Sequence, residues 1–181
     1  MKKMFLLGLM VNLLMLGSCK KDDKGTSNEI PSNLPRTDVP AALQGTWMYG
    51  TFSMTEYWNQ NPADYLGNAL TMAIAFKFNT DGTYEQYFTS SSVTAGAATY
   101  QQAVTKGTVV IDLVQHTITT HPANSHYKRT RSGTVLEERD LRPDEISSVK
   151  YFYEAGTTSN GTKALYLALS VNENPLAFLK K

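Results

Sequence analysis

The 181-residue chain has a single cysteine, Cys19. No disulfide can form within it, so its fold must rest on its core alone. It has no second long apolar run. The one long run, Met4 to Leu16, is broken only by Asn12, and no run is long enough to cross a bilayer as a helix. It also lacks an excess of either charge, with 17 basic and 16 acidic side chains and a net charge of +1. A near-neutral chain is not drawn electrostatically to nucleic acid or to an anionic lipid surface as its main partner. There is no Gly-x-Ser-x-Gly elbow, no phosphate-cradling glycine loop and no thiol nucleophile beyond Cys19. These absences favour a non-enzymatic role without a cofactor.

The N-terminus is informative. Lys2 and Lys3 give a positive start, the apolar run follows, and Leu16-Gly17-Ser18-Cys19 closes it. That order predicts a secretion signal over residues 1–18, and the run is too short to span a membrane. Leu16 to Cys19 resembles the lipobox of bacterial lipoproteins: an apolar residue, two small residues and the cysteine that is lipidated. The resemblance implies a diacylglyceryl thioether on Cys19 and a third acyl chain on its amine. Two or more chains anchor a protein stably. Cys19-Lys20-Lys21-Asp22-Asp23 resembles the export signal of surface lipoproteins of the Bacteroidetes type. It implies lipid anchoring at the outer membrane with the domain facing outward; the periplasmic face is the alternative.

Residues 19–40 read as a tether. The stretch holds Pro31, Pro35 and Pro40, many small polar residues and few apolar ones, so it buries too little surface to offset its ordering entropy. Residues 41–181 are long enough for one domain with a real core.

Within that domain the pattern is strand-like. Met72, Ile74, Phe76 and Phe78 alternate with Thr71, Ala73, Ala75 and Lys77, which predicts a half-buried strand. Asn79-Thr80-Asp81-Gly82 is a turn signal, with Gly82 free to take positive φ. Thr83 to Thr89 returns as the second arm of the hairpin. Further strands are expected over Gly107–Asp112, Thr117–His121, Ser147–Glu154, Lys163–Val171 and Leu176–Leu179. Asn59 to Leu70 offers a short helix, with Pro62 tolerated in its first turn. Arg131 to Glu145 fits neither period clearly. Short antiparallel strands with turn signals predict an all-β fold: an up-and-down barrel of about eight strands with one short helix, or a β-sandwich.

Leu43-Gln44-Gly45-Thr46-Trp47 is similar to the opening of a lipocalin-like domain, whose first strand starts Gly-x-Trp, here Gly45 and Trp47. Phe76 to Tyr84 is similar to a hairpin of small bacterial lipocalin-like lipoproteins. The resemblance implies an antiparallel barrel with a cup-like cavity and Trp47 plugging its closed end. It also implies a basic residue stacked on Trp47, for which Arg139, Arg142 and Lys180 are candidates.

An eight-strand ring leaves room for side chains or for one small ligand. The inward candidates are large, so a filled interior and a usable pocket are both open. The residues expected to line such a pocket are Phe76, Phe78, Tyr84, Phe88, Tyr151 and Tyr153.

Other constellations are weaker. His116, His121 and His126 recur every five residues, which suits neither a strand face nor a helix face for metal binding; no metal site is expected. Glu137-Glu138-Arg139-Asp140 could pair carboxylates for glycoside chemistry, but reads as a solvated face. Tyr57, Trp58 and Tyr65 form a candidate exposed aromatic patch. The expectation is a membrane-anchored binding protein for a small apolar or amphipathic ligand. The alternative is an accessory module of an outer-membrane or glycan-binding assembly.

Overall fold

Among the described residues the period-two alternation is realised in nine strands, all paired antiparallel. A computed structural model describes residues 29–59 and 70–181. The signal, Cys19, Tyr65 and nearly all of the helix expected over Asn59–Leu70 lie outside the described residues. The strands are β1 (Gly45–Tyr49), β2 (Leu70–Phe78), β3 (Thr83–Thr94), β4 (Ala97–Asp112), β5 (Thr117–Arg131), β6 (Thr134–Asp140), β7 (Val149–Thr157), β8 (Lys163–Ala168) and β9 (Leu176–Lys180). Single 3-10 turns occur at Tyr57–Asn59 and Pro143–Glu145. No described helix is long and apolar enough to cross a membrane.

The sheet closes on itself. β4, β3, β2, β1, β9, β8 and β7 are neighbours in that order, and β5 joins β7 to β4. The result is a barrel-like ring of eight strands, with β6 outside it on the far half of β5. β5 divides its length between partners: Thr117–Thr120 pair with β7, and His126–Arg131 pair with β6. Leu141–Ser148 bridges the gap, pinned by the Leu141 amide to the Ser125 carbonyl at 2.8 Å.

β4 and β5 are much longer than their apolar cores imply. The strand expected over Thr117–His121 runs on through Pro122, at a bulge where Lys106 faces Asn124 and Gly107 faces Pro122. A bulge is one of the few sheet positions a proline tolerates. Glycine at 107 is required there, because a Cβ would collide with the His121 carbonyl and Pro122. The ambiguous segment after Arg131 forms β6, whose hairpin with β5 is laced by ion pairs.

The interior is packed at one end. Trp47, Phe76, Phe78, Tyr84, Val109, Ile118, Leu165 and Phe178 form one buried cluster, closed below by Val39 and Leu43. The turn at Asn79–Gly82 forms at this base as expected, with Gly82 at φ 77°.

The tether reading needs one correction here. Residues 35–40 are built into the base. Thr108 Oγ1 donates to the Pro35 carbonyl at 2.6 Å, the Thr37 amide to Val109 at 3.0 Å and the Val39 amide to Thr80 at 3.1 Å. Val39 is 3% exposed. Its side chain caps the interior, which a count of prolines and polar residues does not register. Residues 35–181 thus contain every strand of the ring and the segment that closes its base.

A second cluster lies outside the ring. Met48, Phe52, Tyr57, Ala73, Ala75 and Val104 are buried together, flanked by Met54, Trp58 and Tyr87. The chain after β1 folds back over the outer face of β1–β4. The Ala73–Ala75 face of β2, expected to be the open one, is therefore covered.

Candidate ligand-binding cup

The two ends of the ring differ. At the base, Trp47 donates its indole N–H to the Leu43 carbonyl at 2.7 Å. Lys180, its partner across β1 and β9, holds its ammonium 4.3 Å from the indole centroid. The same ammonium donates to the Gln44 carbonyl. Of the three basic candidates Lys180 takes this position, while Arg139 and Arg142 lie on and after β6, among carboxylates. Burial lowers the Lys180 pKa.

At the other end the ring stays open. Ile74, Phe76, Tyr151, Leu167, Leu176 and Phe178 line a cavity of about 300 Å³, with Met72, Leu169, Glu173 and Asn174 at its mouth. Its floor is aromatic. The Phe76 ring centroid lies 5.6 Å from that of Phe178 and 5.7 Å from that of Tyr151, which meets it edge-on. Beside this floor is a smaller recess of about 180 Å³, bordered by Tyr84, Gln86, Thr105, Thr120, Ser125, Glu145 and Ser147. Their linings are adjacent: Gln86 stands directly opposite Phe76 across β2 and β3, and Val149 lies two residues before Tyr151 on β7.

The expected lining residues separate accordingly. Phe76 and Tyr151 line the cup. Phe78 and Tyr84 are buried in the base cluster. Burial raises the Tyr84 phenol pKa, opposed by a hydrogen bond with Thr120. Phe88 stands opposite Ile74 in register and is half-buried, but borders neither cavity. Tyr153 packs toward the base, 5.7 Å from the His116 ring.

The aromatic patch is corrected at Tyr57, which is 4% exposed. Its hydroxyl bonds to the Phe88 carbonyl and to the backbone of Ala103, and its ring meets Phe52, Trp58 and Tyr87 edge-on. Desolvation raises its pKa far above that of a free phenol. Trp58 is half-buried against the His126 ring at 5.1 Å. This cluster is a strap that covers the outer wall.

The histidines diverge. His116 occupies the β4–β5 turn, His121 reaches Ser148 at 3.1 Å, and His126 reaches Asp140 at 2.7 Å. No group of three metal-ligating side chains converges among the described residues. The Glu137–Asp140 acids divide between the two faces of β6. Glu137 and Arg139 pair with each other and with Arg129 and Glu145, and Glu138 and Asp140 face His126.

Gln86, Leu176 and Phe178 were not singled out from the sequence. Gln86 carried a readable signal, since it lies between Tyr84 and Phe88 on the inward parity of β3. Compared with known proteins, the chain matches no family model and no curated protein.

Proposed function

We propose that this chain is a lipid-anchored binding protein of lipocalin-like architecture that carries a small apolar or amphipathic molecule in its cup. The observation that carries the reading is the cavity of about 300 Å³ that remains after the large inward aromatics are packed. Ligand pockets are commonly that size or larger, mainly apolar, with few polar groups. Burial of apolar area would drive binding.

Residues 35–40 enter at the closed base. An anchor on Cys19 would therefore attach at the end opposite the mouth, leaving the cup open to its surroundings. The accessory-module reading is less favoured, because Tyr57 of its candidate contact patch is buried.

Native mass spectrometry of the chain from Glu29 onward, purified from its host without detergent, tests the carrier reading. A reproducible extra mass lost on denaturation is expected. A bare mass together with no uptake of a neutral naphthylamine probe would exclude it. Metabolic labelling with palmitate tests the anchor, and Cys19→Ser should abolish the label.

A further inference from the structure

The cup has hydrogen-bonding capacity that the protein does not use. The Tyr151 hydroxyl makes no hydrogen bond among the described residues, and burial is the sole cause raising its pKa. The Gln86 amide likewise has no described partner. Neither is an enclosed orphan: the fully enclosed unpaired side-chain atoms among the described residues are Arg129 Nε and Thr130 Oγ1. Both groups therefore open onto space. They flank the same floor residue, since Tyr151 meets Phe76 edge-on at 5.7 Å and Gln86 stands opposite Phe76 in register. Directly opposed residues of an antiparallel pair have Cβ atoms about 5 Å apart on one face.

Charge is one-sided at this place. Among the described residues no Lys, Arg or His borders the cup or the recess, whereas Glu173 stands at the mouth; Glu145, in the recess, is already paired with Arg139. An anionic head group would find no cation lining the site and would meet the Glu173 carboxylate. Desolvating it there would be costly without a partner. The hydroxyl and amide groups match a neutral head that both donates and accepts.

Resting on the carrier reading, we propose that the ligand is an uncharged amphiphile. Its apolar part occupies the cup above Phe76, and its hydroxyl or amide head bonds to Tyr151 and Gln86 at the edge of the recess. The class comprises fatty alcohols, acylglycerols and similar neutral lipids, and excludes ionised fatty acids.

Competition against the neutral probe N-phenyl-1-naphthylamine, on the chain from Glu29 onward at pH 8, tests this. Decanol should displace the probe at a concentration at least tenfold below decanoate. Because an alcohol also partitions more readily than an anion, the variants decide the head-group placement. Tyr151→Phe and Gln86→Leu should each weaken decanol about three- to tenfold, the loss of one hydrogen bond, each measured against that variant's own probe affinity. Tyr151→Phe removes an oxygen that no described group uses, so its Tm should be unchanged or higher. Equal displacement by decanoate would overturn the uncharged head, and unchanged decanol affinity in both variants would overturn its placement. If the unmodified protein takes up no probe, the carrier reading fails and this proposal falls with it.

Discussion

Two side chains show how single residues hold this molecule. The Tyr57 hydroxyl satisfies backbone groups of Phe88 and Ala103 in a wall that the strap covers. Tyr57→Phe keeps the ring contacts and removes those bonds, while Phe88 and Ala103 stay opposed across β3 and β4. The net loss of a hydrogen bond costs about 0.5–1.5 kcal/mol, so urea unfolding should show a stability loss of that size with an unchanged slope. At the base, Lys180 combines a cation over Trp47 with a bond to the Gln44 carbonyl. Lys180→Met keeps the apolar stem but removes both interactions, and a loss of about 1 kcal/mol is expected by the same measurement. Lys180→Arg should recover part of that loss, since a guanidinium also stacks on an indole.

At the scale of elements, the β6–β7 crossing is held by charge more than by burial. Glu145 accepts two bonds from Arg139 at 2.8 Å each and one from the Arg142 amide at 2.8 Å. The Arg139 guanidinium, then the Arg142 amide, lower its pKa from the usual glutamate range to about 2. A carboxyl lowered on folding stabilises the native state fully above its unfolded value and loses that contribution as pH falls through its folded value. The crossing should therefore loosen between roughly pH 4.5 and 2, seen as faster hydrogen exchange at the Leu141 amide that bonds Ser125. Arg139→Gln should move that loosening toward pH 4.5, and high salt should weaken the contact at every pH because it is exposed. The sequence hid this element for a physical reason. Glu137, Glu138, Arg139 and Asp140 bury little, so period-two alternation leaves no apolar imprint on β6. β2 and β3 were legible because Met72 to Phe78 and Tyr84 to Phe88 alternate against the interior and a glycine turn joins them. The outer strap was not legible. Its register against Ala73, Ala75 and Val104 depends on contacts distant in sequence, and small alanines read as a solvent face until something covers them.

For the whole molecule, the decisive question is where the domain begins. Composition places the boundary at Ala41, because prolines and small polar residues precede it. The ring instead recruits Pro35–Pro40: Thr37 and Val39 supply backbone bonds to Val109 and Thr80, and Val39 seals the interior beneath the base cluster. Fully burying a valine side chain is worth about 1.5–3 kcal/mol. A loss of roughly 2 kcal/mol, that burial alone, should lower the Tm by about 5–10 °C in a domain of this size. A chain starting at Ala41 should therefore melt lower than one starting at Glu29, and Val39→Asp in the longer chain should reproduce most of the drop. The same comparison tests whether the base and the cup are separate. The cup lining includes none of residues 35–43, so the shorter chain, below its own Tm, should still take up a neutral probe with little change in affinity. A large loss of uptake at a temperature where the fold persists would mean that the base segment shapes the cavity through the aromatic floor at Phe76 and Phe178.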